Sequence, residues 1–181
     1  MKQAVLSLCF FLCIVQSRGQ QTAVYTDPQR HFLHARDLFQ QGKYSIAYPI
    51  FRELRAGLRE TDYANARLAS DEIVFYTIVC GLKQQEPRAG EEARAYLNMN
   101  RKDAMAAKIA FHLGSYYFYR EEPRNAIDYF EQVDIAQLSN EEVAQMKFQQ
   151  GYCYFTMNQF GKAKPLLDAV RQIPGDPNRD D

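Results

Sequence analysis

Three histidines, four cysteines and several paired carboxylates are the side chains in this sequence that could do chemistry. His31, His34 and Asp37 stand at three-residue steps, which on a helix turns all three toward one side. That pattern offers metal ligation, with imidazoles and a carboxylate as donors. A closed site needs three or four ligands, and the remaining His112 lies on a distant segment. The spacing therefore reads as helix-surface histidines, with a metal site as the alternative. Glu91-Glu92, Glu121-Glu122 and Glu141-Glu142 fall at or near expected helix starts, where carboxylates meet the positive end of the helix dipole. They read as capping and solvation rather than acid–base pairs. No Gly-rich phosphate loop, nucleophile elbow or Cys-His pairing stands out. No catalytic residue, cofactor or metal is assigned, and the expectation is a protein that binds rather than catalyses.

Two of the cysteines belong to a segment set apart from the fold. Lys2 gives a positive start, Ala4 to Val15 is an apolar run broken only by Ser7, and Ser17-Arg18-Gly19 follows. This is the layout of a secretory signal peptide over residues 1–19, with cleavage before Gln20. The apolar run falls well short of the roughly 20 residues that span a bilayer, and no second such run follows. Phe11-Leu12 ahead of Cys13 lacks the small residues expected before a lipidated cysteine. The mature chain keeps Cys80 and Cys153, each inside an apolar helical stretch. They read as buried free thiols, with a disulfide as the alternative.

The whole chain carries 22 basic and 22 acidic residues. Losing Lys2 and Arg18 tips the mature chain to a small negative charge. That offers no footprint for nucleic acid or anionic lipid.

Breaks and caps divide the rest into helices. Residues 20–27 are a polar lead-in and 28–177 a helical domain, with 178–181 as tail. The expected helices run over Pro28–Gln41, Tyr44–Gly57, Asp62–Lys83, Arg88–Asn98, Lys102–Tyr119, Pro123–Val133, from the capping box Ser139-Asn140-Glu141-Glu142 to Met157, and Phe160–Ile173. Pro174-Gly175-Asp176-Pro177 closes the array. Short connections favour antiparallel neighbours. Pro49 and Pro165 are expected in the first turn of their helices, where a missing N–H costs little.

The helices repeat. Gly114, Tyr117, Phe118, Ala126, Phe130 and Val133 recur 37 positions later as Gly151, Tyr154, Phe155, Ala163, Leu167 and Val170. At an offset of 116 from that last copy stand Ala35, Leu38, Phe39, Tyr44, Ala47, Pro49, Phe51 and Leu54. Self-similarity of this length in helical pattern signals stacked helix pairs that cannot bury their faces alone.

Leu113-Gly114-Ser115-Tyr116-Tyr117 with Ala126 and Phe130, and Gln150-Gly151-Tyr152-Cys153-Tyr154 with Phe160, Ala163, Leu167 and Pro174, resemble the tetratricopeptide repeat. His34-Ala35-Arg36-Asp37-Leu38 with Tyr44, Ala47 and Phe51 is a third match. Asp71 to Leu97 is a degenerate copy of uncertain register. The resemblance implies an all-α, right-handed solenoid of about four antiparallel helix pairs. In it Ala35, Ala47, Gly114, Ala126, Gly151 and Ala163 would allow close helix approach. It also implies a concave groove lined by the first helix of each pair.

Those first helices carry phenylalanines seven apart: Phe32 and Phe39, Phe111 and Phe118, Phe148 and Phe155. With Arg36, His112, Tyr119 and Tyr152 they are candidates for gripping a peptide or a partner's helix. The competing reading is an apolar stripe packed between repeats. Arg36, Lys108, Ser115 and Gln149 are too scattered for the carboxylate clamp that some relatives carry. The resemblance to exported repeat proteins of the bacterial envelope implies the periplasm, or the periplasmic face of the outer membrane, and a protein partner. The chain stops at Asp181 directly after a full repeat. This suggests a longer array, or self-association through the last repeat.

Overall fold

The computed structural model describes residues 28–58, 67–99 and 104–171. The expected signal segment, lead-in, closing turn and tail lie outside these residues. Among those described the chain is all-helical, with no strand. Eight α-helices follow one another: α1 Pro28–Gln40, α2 Tyr44–Gly57, α3 Arg67–Lys83, α4 Ala89–Met99, α5 Ala104–Tyr119, α6 Pro123–Phe130, α7 Asn140–Thr156 and α8 Phe160–Val170. A 3-10 turn, Ile135–Gln137, precedes α7. Each helix except the last touches its successor, and α1, α3, α5 and α7 also touch one another in order.

One backbone device ends every odd-numbered helix. Gly42, Gln85, Glu121 and Asn158 have φ of 71°, 58°, 59° and 59°, in the left-handed region. The amides of Gly42, Gln85, Glu121 and Asn158 donate to the carbonyls of Phe39, Leu82, Phe118 and Phe155. The next amides, of Lys43, Glu86, Glu122 and Gln159, reach back to Leu38, Gly81, Tyr117 and Tyr154. This is the Schellman motif made four times, and it satisfies carbonyls that a helix end leaves unpaired. The turns give a register that does not depend on side-chain type. By that register Ile78 stands where Ala35, Gly114 and Gly151 stand, and Phe75 aligns with Phe32, Phe111 and Phe148. The close approach there has moved to Gly81, whose added Cβ would meet Ala89 Cβ at 3.1 Å.

Both interior prolines depart from expectation. Pro49 and Pro165 are each the sixth residue of their helix, beyond the first turn. The lost bonds leave the carbonyls of Ser45 and Gly161 without their usual donor. Ser45 and Gly161 are exposed, as are both prolines, so water can take that place. Helix α6 also ends earlier than its apolar pattern suggests. Asp134 caps the 3-10 turn instead, accepting from the Ala136 amide at 3.1 Å.

The capping box that opens α7 forms in full. Glu142 N donates to Ser139 Oγ at 3.2 Å, and Ser139 N donates to Glu142 Oε2 at 2.8 Å. Ser139→Ala is expected to cost about 1 kcal/mol, read as a shift in the urea midpoint.

The core has two parts. Ala35, Leu38, Ala47, Phe51 and Cys80 seal the first hairpin against α3. A larger cluster runs from Ile78 to Ala163 through α3–α8. Its centre is α5, buried from Ala106 to Tyr117 except at Lys108. A helix apolar on all sides belongs inside, and α5 contacts α3, α4, α6 and α7. Gly114 and Gly151 sit in matching environments. A Cβ on Gly114 would lie 2.5 Å from the Phe130 ring, and one on Gly151 would lie 2.9 Å from Leu167. Ala35, Ala47, Ala126 and Ala163 are all buried. Cys80 and Cys153 are buried free thiols, pushed up to about 12 and about 11 by burial.

Candidate partner-binding surface

The six phenylalanines fall on one helical line, but burial separates them. Phe111 is 1% exposed, Phe32, Phe39 and Phe118 are half-buried, and Phe148 and Phe155 stand about half exposed. The cause is stacking. The Phe39 ring meets Tyr76 of the next odd helix at 4.8 Å, and Phe118 meets Tyr152 at 5.7 Å. The line is a seam between hairpins. Phe32, Phe39 and Phe111 serve mainly to close it, as the competing reading of a stripe packed between repeats has it.

The candidate role of His112 in gripping a partner is corrected by its burial. It is enclosed within α5, with the Phe111 ring 4.9 Å away. Burial, then Lys83 and Lys108, lowers it to about 3. Its Nδ1 has no hydrogen-bond partner among the described residues. Next to it in the seam, Ser115 Oγ donates to Gln149 Oε1 at 2.7 Å, a satisfied buried pair. Arg36 lies over the Phe32 ring at 5.9 Å at the far end of the molecule.

Three candidates do come together. Phe118, Tyr119 and Tyr152 line a half-open cavity of about 580 Å³, with Glu121, Pro123, Cys153 and Thr156. Local folding explains the set. The left-handed turn at Glu121 lets Pro123 start α6 while Tyr119 projects from the end of α5. One hairpin on, Tyr152 and Thr156 rise from α7. Tyr119 is 64% exposed and Tyr152 49%. The Phe148 ring lies 6.4 Å from that of Tyr152 on the same helix, outside the cavity lining. The lining offers aromatic faces, hydroxyls and one carboxylate. These bind apolar side chains and cations; Cys153, its thiol held protonated by burial, adds no nucleophile. Glu121, Pro123 and Thr156 were not legible as site residues, because the turn that gathers them uses no glycine. Phe160 has a signal, in its match to Tyr44 at the 116-residue offset.

His31, His34 and Asp37 lie on α1, with His34 and Asp37 exposed. Among the described residues no group of three or more His, Cys, Asp or Glu is placed to hold a metal ion. No described helix is long and apolar enough to cross a membrane. No family model matches the chain, and no curated protein matches it.

Proposed function

We propose that this chain is an exported protein-binding scaffold of tetratricopeptide type, a right-handed helical solenoid that grips a peptide or partner helix along its odd-numbered helices. The observation that carries the binding reading is the aromatic cavity between α5 and α7. Large aromatic side chains left half exposed around one concavity are uncommon on a surface that nothing covers. Tyrosine is also enriched where proteins meet. The chemistry there is recognition without catalysis. The solenoid reading draws on the fourfold turn, the 37-residue recurrence and the ordered contacts of odd helices. Export to the bacterial envelope draws on the pattern of residues 1–19.

The test is capture by the mature chain from an envelope fraction, run beside a Tyr119→Ser/Tyr152→Ser variant. Tyr119 is largely exposed and Tyr152 half exposed, so helical circular dichroism and melting should hold. The expected result is a partner band retained by the native chain and lost by the variant. An identical set of captured proteins would overturn the reading.

A further inference from the structure

The first hairpin shows what its aromatic end face takes. Tyr76 of α3 sits among three rings: Phe32 at 6.1 Å, Phe39 at 4.8 Å and Phe51, stacked at 5.0 Å. Phe39 also packs edge-on against Tyr44 at 5.2 Å. Seven residues beyond Tyr76, one line along the same helix, Lys83 Nζ lies 5.7 Å over the Tyr44 ring. Gln84 then donates to the Tyr44 carbonyl at 3.4 Å. Helix α3 and the residue just after it thus supply an aromatic side chain, a cation and an amide to one hairpin.

The last hairpin repeats the receiving half. At an offset of 116, Phe32, Phe39, Tyr44 and Phe51 become Phe148, Phe155, Phe160 and Leu167. The pair is kept in geometry too: Phe155 and Phe160 lie edge-on at 5.4 Å and 64°, against 5.2 Å and 74° for Phe39 and Tyr44. Yet Phe155 is 53% exposed and Phe160 54%, and among the described residues no aromatic ring occupies the place that Tyr76 holds. The end face continues, by one step, an interface the molecule already makes between successive hairpins.

We propose that Phe148, Phe155, Phe160 and Leu167 form a second docking site, separate from the α5–α7 cavity, for an amphipathic helix of a partner. That helix carries an aromatic residue and, seven positions later, a lysine or arginine. The aromatic enters the cup between Phe148, Phe155 and Leu167, and the cation covers the ring of Phe160.

The probe is the molecule's own donor helix: a labelled, helix-stapled peptide of residues 70–86 with Cys80→Ser, titrated into the full chain by fluorescence anisotropy. Binding is expected, with at least tenfold loss for the Phe155→Ser/Phe160→Ser protein. A similar loss is expected for the Tyr76→Ala peptide, and a several-fold loss for the Lys83→Ala peptide. Circular dichroism of the half-exposed double variant should match the native chain. No binding to the native chain overturns the proposal, as does binding indifferent to Phe155 and Phe160. A concentration-dependent dimer that the same variant makes monomeric in sedimentation assigns the face to a second copy and overturns it as well. The Tyr119→Ser/Tyr152→Ser protein should bind the peptide normally. Loss there merges the two surfaces and overturns the separate site, whereas failure of envelope capture alone leaves this binding standing.

Discussion

Gly114→Ala should destabilise the protein by about 2 kcal/mol and lower its melting temperature by several degrees. The new Cβ would stand 2.5 Å from two atoms of the Phe130 ring, well inside contact distance. Phe130 is 2% exposed and held in the larger core, so its ring has little room to withdraw. Overpacking of this kind costs about 1–3 kcal/mol or more, while alanine returns up to about 1 kcal/mol in helix propensity. The first effect wins because the ring is trapped. At Gly151 the balance shifts. There the Cβ would meet Leu167 at 2.9 Å, but Leu167 is only half-buried and can turn toward the open end face. Gly151→Ala should therefore cost less than half as much. Equal costs in thermal melts of the two variants would contradict this account of the hairpin contact.

The second large effect is acid sensitivity through His112. Its folded value, about 3, lies below the ordinary 6.5 of the unfolded chain, because burial and the nearby Lys83 and Lys108 disfavour the charged ring. The unfolded state therefore takes up a proton that the folded state refuses. The stabilising contribution is complete above pH 6.5 and drains away as pH falls from there toward 3. Each pH unit in that window removes about 1.4 kcal/mol. His112→Leu should flatten that part of the stability profile. Near neutral pH it should be neutral or mildly stabilising, since it removes a buried Nδ1 without a partner. Urea midpoints at pH 7 and pH 5 check both statements. A variant that loses stability with acid as steeply as the native chain would show that the slope belongs to other groups.

Much of this architecture is legible in the residues. Apolar periodicity, Pro28, Pro123 and the Ser139 capping box place most helix limits within a few residues, and the small residues at 37- and 116-residue offsets mark the buried contacts. What stays hidden has physical causes. Gln85, Glu121 and Asn158 take a backbone shape usually signalled by glycine, so the second hairpin's register cannot be read until the turn is seen. Burial is hidden for another reason. Phe111 and Phe148 occupy the same register position on their helices, yet one is 1% exposed and the other 49%, because more neighbours stack on Phe111. Heptad spacing reports direction from the axis; it does not report what lies in that direction. Pro49 and Pro165 show the limit of boundary reading, since a shift of one turn decides whether a carbonyl loses its donor.

The four left-handed turns also set where this chain can absorb added length. The turns at 42, 85, 121 and 158 are spaced 43, 36 and 37 residues apart. Of the second helices bounded by described residues, α2, α6 and α8 have 14, 8 and 11 residues. The bend inside each hairpin is held constant while the spacing between bends changes. One residue inserted between Phe118 and Pro123 would break the paired bonds from the Glu121 and Glu122 amides to Phe118 and Tyr117 and shift Phe130 relative to Gly114.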